Sequence, residues 1–587
     1  MIPPDQQLRP KGQASMDDGS TGQQTATVAE AFLAALSANG IRHVFANAGT
    51  DFAPIIEGLV RANDSGWEAP RFVTVPHETV AMAMAQGYYK AAGAPAAVMV
   101  HVTVGTANAT CGFINASRDN VPLLLAAGRT PLTESGAHGS RNVSIHWAQE
   151  AYDQGAGLRE YAKWDYELRA GQPVATLVDR ALDIAMTAPR GPVYMTLPRE
   201  VLAGASPFAA RGHRSPGAMP AAPSAEAIDR AAAAIAGAKF PLIVYSAAHQ
   251  DPASFAALSA LARDHAIAVC DHIGGALPSG HEMNLGDLRG MPGDFVRMAD
   301  VIVAFDAGVP WVPTAAEPAA DATVIQIAPD PTFSRLPFRG FRSDLAIAGE
   351  PALAVALLHR ALDSAGNRSA RDARRRRIAD ARAPVDEARA ALRETARTMT
   401  PIHPAWTAHC LNRIKDDDAI VVNELGLPYE HLNSEQPGCC LSGNNASGLG
   451  RGLGEALGAK VAAPHRQVIA AVGDGSYMFG APTAAHYVGR AEGLPTLTIV
   501  SNNAEWFAVR RATTGMYPNG RAAKANTIPL VELSPSPGFE KTIEACDGFG
   551  QKVDDPAALP AALDRAFEAM ADGRSALLNV VTRAGGR

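Results

Sequence analysis

With 587 residues the chain is too long for one hydrophobic core, and two to four domains are expected. Its composition, 47% hydrophobic and 19% charged, is that of an ordinary globular protein, and a formal net charge of −7 with no dominant basic stretch argues against a nucleic-acid partner. No apolar run is long enough to span a bilayer, and six scattered cysteines without metal-type spacing point to a reducing cytoplasm.

Residues 1–24 are polar, lack the apolar core of a signal peptide, and are expected to form a disordered tail. A first block, residues 25–205, opens with helical spacing over Val28–Asn39 and a Gly40 suited to end it. Strand-like runs follow at Ile41–Ala46, Ala97–Val102, Leu123–Ala127 and Gly191–Leu197, with a helix predicted over His77–Ala92. Pro207–Ser224 reads as a linker. A second block, residues 222–363, has strand-like runs at Pro241–Tyr245, Ile267–Cys270, Val301–Phe305 and Val324–Ile327, but no G-x-G-x-x-G after the first of them. Residues 364–399 form a charged, Arg-rich linking helix; interleaved Asp and Glu make a solvated helix the expectation rather than an anion patch. A third block, residues 400–587, has strands at Ala419–Val422, Val468–Val472, Thr496–Val500 and Ala576–Val581. Strands alternating with helices in all three blocks predict an α/β protein of three doubly wound parallel-sheet domains.

The strongest chemical signal lies in the third block. The apolar strand Val468–Val472 ends in Gly473-Asp474-Gly475-Ser476, and a second strand ends in Asn502-Asn503 after a spacer of 26 residues, 476–501. Ligands of α/β sheets bind beyond the carboxyl ends of strands. Asp474 and Asn503 sit at two such ends and offer hard oxygen ligands suited to Mg²⁺. Gly473 and Gly475 let backbone N–H groups approach a diphosphate, and a helix starting near Ser476 adds its dipole. Alone, G-D-G is usually a turn; with the second strand and N-N it is far more specific.

This pair of motifs resembles the signature of the thiamine diphosphate-dependent enzymes, with a spacer near the upper end of that family's range. The resemblance implies three domains, pyrimidine-binding, central and diphosphate-binding, with thiamine diphosphate and Mg²⁺ as cofactors. It implies that Asp474, Asn503 and the main-chain oxygen of Glu505 hold the metal. It also demands a carboxylate against the cofactor's aminopyrimidine ring, and Glu78, opening an apolar helix after Val75-Pro76-His77, fits; by itself that Glu would be read as complementing a helix dipole. Ser447-Gly448-Leu449-Gly450 resembles the segment beneath the cofactor, where Leu449 would wedge the rings apart and Ser447 would accept from the exocyclic amino group, although a core leucine would look the same. Active sites between subunits of a homodimer or homotetramer follow from the resemblance.

Two branches compete. His101 before Thr103-Val104-Gly105-Thr106-Ala107-Asn108 is similar to benzoylformate decarboxylase, and there Thr50 would match a substrate-binding Ser. The stretch Ala304–Trp311 lacks that enzyme's second catalytic His. His146-Trp147-Ala148-Gln149-Glu150 resembles a region of the acetolactate synthases. The resemblance thus implies an acetolactate synthase-like carboligase acting on a 2-oxo acid, with a benzoylformate decarboxylase-like decarboxylase, or cleavage of a diketone, as the alternative. His101 and His146 would move protons; Thr50, Gln149, Trp506, Val509 and Arg510 would meet substrate, though an ion pair for Arg510 and core packing for Trp506 are equally good readings. FAD is not expected, because Tyr245-Ser246-Ala247-Ala248-His249 lacks a Gly-rich turn. A nicotinamide-dependent oxidoreductase is disfavoured by the missing fingerprint, and a catalytically dead homologue by the joint presence of Glu78, Asp474 and Asn503.

Overall fold

Three six-stranded sheets, every pairing parallel, follow one another along the chain. The computed structural model describes residues 26–206, 217–246, 251–271, 275–287, 294–364, 368–442 and 445–583, so the expected tail and most of the linker lie outside the described residues. The first sheet comprises β1 (His43–Ala46), β2 (Arg71–Thr74), β3 (Ala97–Val100), β4 (Leu124–Arg129), β5 (Asp165–Glu167) and β6 (Val193–Pro198). The central sheet comprises β7 (Pro241–Tyr245), β8 (Ala268–Asp271), β9 (Asn284–Asp287), β10 (Val301–Phe305), β11 (Thr323–Ala328) and β12 (Leu345–Ala348). The third comprises β13 (Ile420–Glu424), β14 (Cys440–Ser442), β15 (Val468–Gly473), β16 (Leu497–Asn502), β17 (Phe549–Val553) and β18 (Ala576–Val581).

The first sheet runs β2-β1-β3-β4-β6-β5 and the third β14-β13-β15-β16-β18-β17, which is the same order twice. The central sheet runs β12-β11-β10-β7-β8-β9, the dinucleotide-fold order. In the first and third sheets the order reverses between the first and third strands, β1/β3 and β13/β15. Such a switch point opens a crevice at the carboxyl ends, where ligands of α/β proteins bind.

In the first domain, helix α1 (Val28–Ala38) starts on a capping box in which Thr27 and Glu30 satisfy each other's backbone N–H groups. Helix α2 (Glu78–Ala92) is capped by His77, whose Nδ1 accepts from Thr79 N, and ends at Gly93 in the left-handed region. Helix α3 (Val102–Arg118) leaves β3 through His101. The central domain has its own core, flanked by α4 (Ala225–Gly237), α5 (Pro252–His265) and α6 (Pro351–Ser364). Helix α7 (Arg368–Ala396) follows. It is not solvated all round. Arg374 is only 4% exposed, and its guanidinium donates to Ala236 O at 2.5 Å and Ala238 O at 2.8 Å, closing the carbonyl end of α4.

The third domain supplies α8 (Gly452–Ala462) and the short α9 (Asp474–Phe479). A single core runs through the first and third domains, because α2 packs along α8. The two backbones touch: a Cβ at Gly87 would lie 2.0 Å from Glu455 O, and one at Gly458 1.9 Å from Met84 O. Buried charges cross this seam. Lys90 Nζ meets Glu455 at 3.0 Å and Asp119 at 3.3 Å, and Arg451 closes on the other oxygen of Glu455. Among the described residues no helix is long and apolar enough to cross a membrane.

Candidate active site

The switch point of the first sheet gathers a polar cluster. Glu78 is the first residue of α2 and is buried; Oε1 accepts from Asn47 Nδ2 at 2.9 Å and Oε2 from Asn108 Nδ2 at 2.6 Å. Asn47 directly follows β1, and Asn108 lies in α3. His101 directly follows β3. Its Nδ1 is 2.5 Å from Asp51 Oδ1, and its Nε2 is 3.2 Å from Gln149 Nε2. Asp51 is 97% buried, at 3% exposure, and its other oxygen accepts from Val102 N at 3.4 Å. That hydrogen bond to Asp51 raises the His101 pKa above the usual imidazole value, against the opposing effect of burial, and the charges of Asp51 and Glu78 add to it.

Space for the pair is carved by glycines. A Cβ at Gly49 would stand 2.0 Å from His101 Nδ1, and one at Gly128 1.6 Å from Asp51 Oδ2. Val102, next to His101, has φ +32°, a costly conformation for a β-branched residue and one that marks strain beside a site. His146 is buried in a short helical turn, and its Nδ1 accepts from Asn142 N at 3.3 Å. Burial lowers its pKa, with Arg199, Arg141 and His101 adding to the effect. Gln149 carries a buried Oε1 without a hydrogen-bond partner. Thr50 is exposed, and the structure sets its neighbour Asp51 on His101.

The third sheet's switch point holds the second half. Asp474, 3% exposed, opens α9 directly after Gly473; Oδ1 accepts from Gly475 N at 2.8 Å and Oδ2 from Ala504 N at 2.7 Å. The second bond ties the ends of β15 and β16 together and brings Asp474 beside Asn503. Asn503 Oδ1 accepts from Glu505 N at 3.0 Å. Burial pushes the Asp474 carboxyl above its ordinary pKa, and among the described residues no basic side chain pairs with it. Ser476 is buried, and Gly475 lies under the Trp506 ring, which a Cβ would approach to 2.3 Å. Glu505 is buried; its Oε2 takes Arg510 Nε at 2.6 Å, while its Oε1 has no partner. Arg510 also reaches Glu532 at 3.1 Å, so its guanidinium is engaged by two carboxylates of its own domain. Val509 is exposed.

Glu424, at the end of β13, is a further member of this half. It is buried and accepts from Gly450 N at 2.8 Å and Gly452 N at 2.7 Å, holding the turn that carries Ser447 and the half-buried Leu449. Ser447 has φ +52°, and Gly448 and Asn115 of α3 exchange two hydrogen bonds, of 2.9 and 3.0 Å. Asn47, Asp51, Asn108 and Glu424 were not singled out from the sequence. The available signal was positional: Asn47, Asp51 and Glu424 lie at or just past the ends of β1 and β13, the first strands of the two repeated sheets.

Among the described residues no hydrogen bond or ion pair joins Glu78 or His101 to Asp474 or Asn503, and the contact between the halves runs through Asn115 and Gly448. A cavity of about 690 Å³ lies elsewhere, between the first and central domains, lined by Tyr89, Arg118, Arg190, Asp306, Arg335 and Glu350 among others. Burial and Glu350 push the Asp306 carboxyl there up to about 7. Residues 247–249 of the Tyr245–His249 turn, which lacks the glycines expected for flavin, fall outside the described residues.

Comparison with known proteins covers both halves. Residues 26–156 match the N-terminal TPP binding domain of the thiamine pyrophosphate enzymes, and residues 427–580 match the C-terminal TPP binding domain. A probable acetolactate synthase of Mycobacterium bovis is 25% identical over 93% of this chain and 94% of its own length. A benzoylformate decarboxylase of Pseudomonas aeruginosa is 27% identical over 82% of this chain and 87% of its own. Among solved structures, the thiamine diphosphate-dependent 4-hydroxybenzoylformate decarboxylase of Rhodococcus jostii superposes with a TM-score of 0.75 at 22% identity, covering 96% of this chain and all of its own.

Proposed function

The chain belongs to the thiamine diphosphate-dependent enzymes, and from that premise we propose that it acts on a 2-oxo acid and releases CO₂ without oxidation. The observation that carries this reading is the Asp51–His101 pair beside Glu78: a buried carboxylate fixes an imidazole and raises its pKa at the carboxyl end of the first sheet.

The residues suit a Mg²⁺-bound diphosphate. A buried carboxylate without a basic partner among the described residues, a neighbouring amide and an orphaned buried oxygen on Glu505 are hard donors gathered at two adjacent strand ends. Asp474, Asn503 and the main-chain oxygen of Glu505 would hold the metal, and Gly473, Gly475 and Ser476 the diphosphate. Ser447 and Leu449 would seat the rings, with Glu78 against the pyrimidine. When bound, the cofactor supplies the nucleophilic carbon and the electron sink. Glu78 holds or releases one proton at its carboxylate, positioned by Asn47 and Asn108. His101 would pass a proton at Nε2 to the substrate oxygen or the product carbon, its ring fixed at Nδ1 by Asp51. His146, kept neutral by burial, stands behind it.

A homodimer is the smallest active unit in this reading. Glu78 and His101 form no hydrogen bond or ion pair with Asp474 or Asn503 of the same chain among the described residues, and apolar side chains are exposed on both domains: Ile145, Trp147 and Tyr152 in the first, Met516, Tyr517 and Leu530 in the third. A second copy facing the first would complete two sites. The six cysteines form no disulfide, in keeping with a reducing cytoplasm. Carboligation of the acetolactate synthase type is the second reading, favoured by the likeness to the Mycobacterium bovis protein along nearly all of the chain.

The test is to load purified protein with thiamine diphosphate and Mg²⁺ and offer pyruvate, branched and aryl 2-oxo acids, assaying CO₂, aldehydes and hydroxyketones. Aldehyde from aryl or branched acids supports decarboxylation. Acetolactate from pyruvate as the main product replaces it with the second reading.

A further inference from the structure

The central domain holds a cluster that the proposed chemistry does not use. His265, the last residue of α5, faces His359 and Asp363 of α6, and one donor atom from each of the three lies within 4.8 Å of the other two. His359 and Asp363 are four residues apart, so they project from one face of the helix. We propose that His265, His359 and Asp363 form a binding site for a divalent transition cation of the Zn²⁺ type.

Two observations carry this. His265 is 2% exposed, yet its Nε2 has no hydrogen-bond partner; Asp363 Oδ1 is 3.4 Å away in poor alignment. An unpaired buried polar nitrogen is costly, and a cation between it and the carboxylate would satisfy both. The donors are also of the right kind: two imidazoles and one carboxylate suit Zn²⁺, Co²⁺ or Ni²⁺ rather than Mg²⁺. Tetrahedral Zn²⁺ with bonds of about 2.0–2.2 Å needs donors roughly 3.3–3.5 Å apart, and His265 Nε2 and Asp363 Oδ1 stand 3.4 Å apart. Asp264 Oδ2, 3.2 Å from His359 Nε2, orients that ring or adds a second carboxylate. The site would staple α5 to α6, away from both half-sites.

The experiment uses the full chain, stripped with chelator and then reloaded with thiamine diphosphate and Mg²⁺ so that the cofactor site is filled. Calorimetric titration with Zn²⁺ is run on this protein and on His359→Ala and Asp363→Ala, both at accessible positions. The expected result is one Zn²⁺ per chain with a raised melting temperature, and a loss of at least tenfold in affinity in each variant. Co²⁺ should give the visible bands of a tetrahedral N/O site in the parent protein only. Turnover of the loaded enzyme should be the same in all three. No uptake by the parent, or uptake by both variants equal to it, overturns the proposal without touching the cofactor assignment.

Discussion

Replacing Glu78 by Gln keeps the side chain's size but removes its charge, and one of Asn47 and Asn108 then faces an N–H instead of an acceptor. Turnover should fall by about 10²–10⁴-fold, the usual worth of a positioned acid–base group, with an unchanged circular dichroism spectrum. Asp51→Asn tests the other pair. The carboxylate raises the His101 pKa, so its loss should move the basic limb of the rate profile to lower pH. Stability follows the same sign. A histidine whose folded pKa is raised adds stability that is complete below about 6.5 and is lost as pH rises through the folded value. Urea titrations from pH 6 to 9 should show that decline in the parent protein and a flatter profile in Asp51→Asn. Glu78, His101, Asp474 and Asn503 could be proposed from the sequence because each stands at or near a strand end or helix start, where local pattern speaks. Asp51 was not, because its partner lies 50 residues away and only the folded sheet brings the two together.

Among the elements, the four inner strands of every sheet were legible and both edge strands of every sheet were not: β2 and β5, β9 and β12, β14 and β17. Inner strands are buried on both faces and read as unbroken apolar runs such as Val-Ile-Val-Ala-Phe. Edge strands such as Arg-Phe-Val-Thr and Asp-Tyr-Glu are short, polar and partly exposed, so their pattern is that of a loop. The linking helix was expected to be solvated because its sequence is charged throughout; which arginine turns inward depends on where the carbonyls of α4 end. Arg374→Ala should leave those carbonyls without their donor and cost about 1–3 kcal/mol in denaturant unfolding, whereas exposed Arg376 should cost almost nothing. The α2–α8 contact is less forgiving. Gly458→Ala drives a methyl into Met84 O and should destabilise by at least about 1–3 kcal/mol, despite the better helix propensity of alanine.

At the scale of the whole molecule, the first and third domains repeat one sheet order without a sequence repeat visible to inspection, and the buried charges of Lys90, Glu455 and Arg451 lie where they join. Lys90→Met removes the cation shared by Glu455 and Asp119, leaving Glu455 to Arg451 and Asp119 to Asn445, and should cost about 1–3 kcal/mol, read as a lower urea midpoint. If two chains complete each site, specific activity should fall on dilution in step with the dimer fraction measured by ultracentrifugation; activity that persists in a monomer would discard that arrangement. The guarded sheet margins then bear on how copies meet. The six edge strands are three to five residues long, and Arg71, Asp165, Glu167 and Lys552 stand on three of them. A foreign strand laid alongside would gain only a few hydrogen bonds and would meet charge. Growth by strand addition, the route to fibres and tangled aggregates, is therefore discouraged at these short margins, and most at the three that carry charge, so that the molecule is left to recognise its own kind through helices and loops.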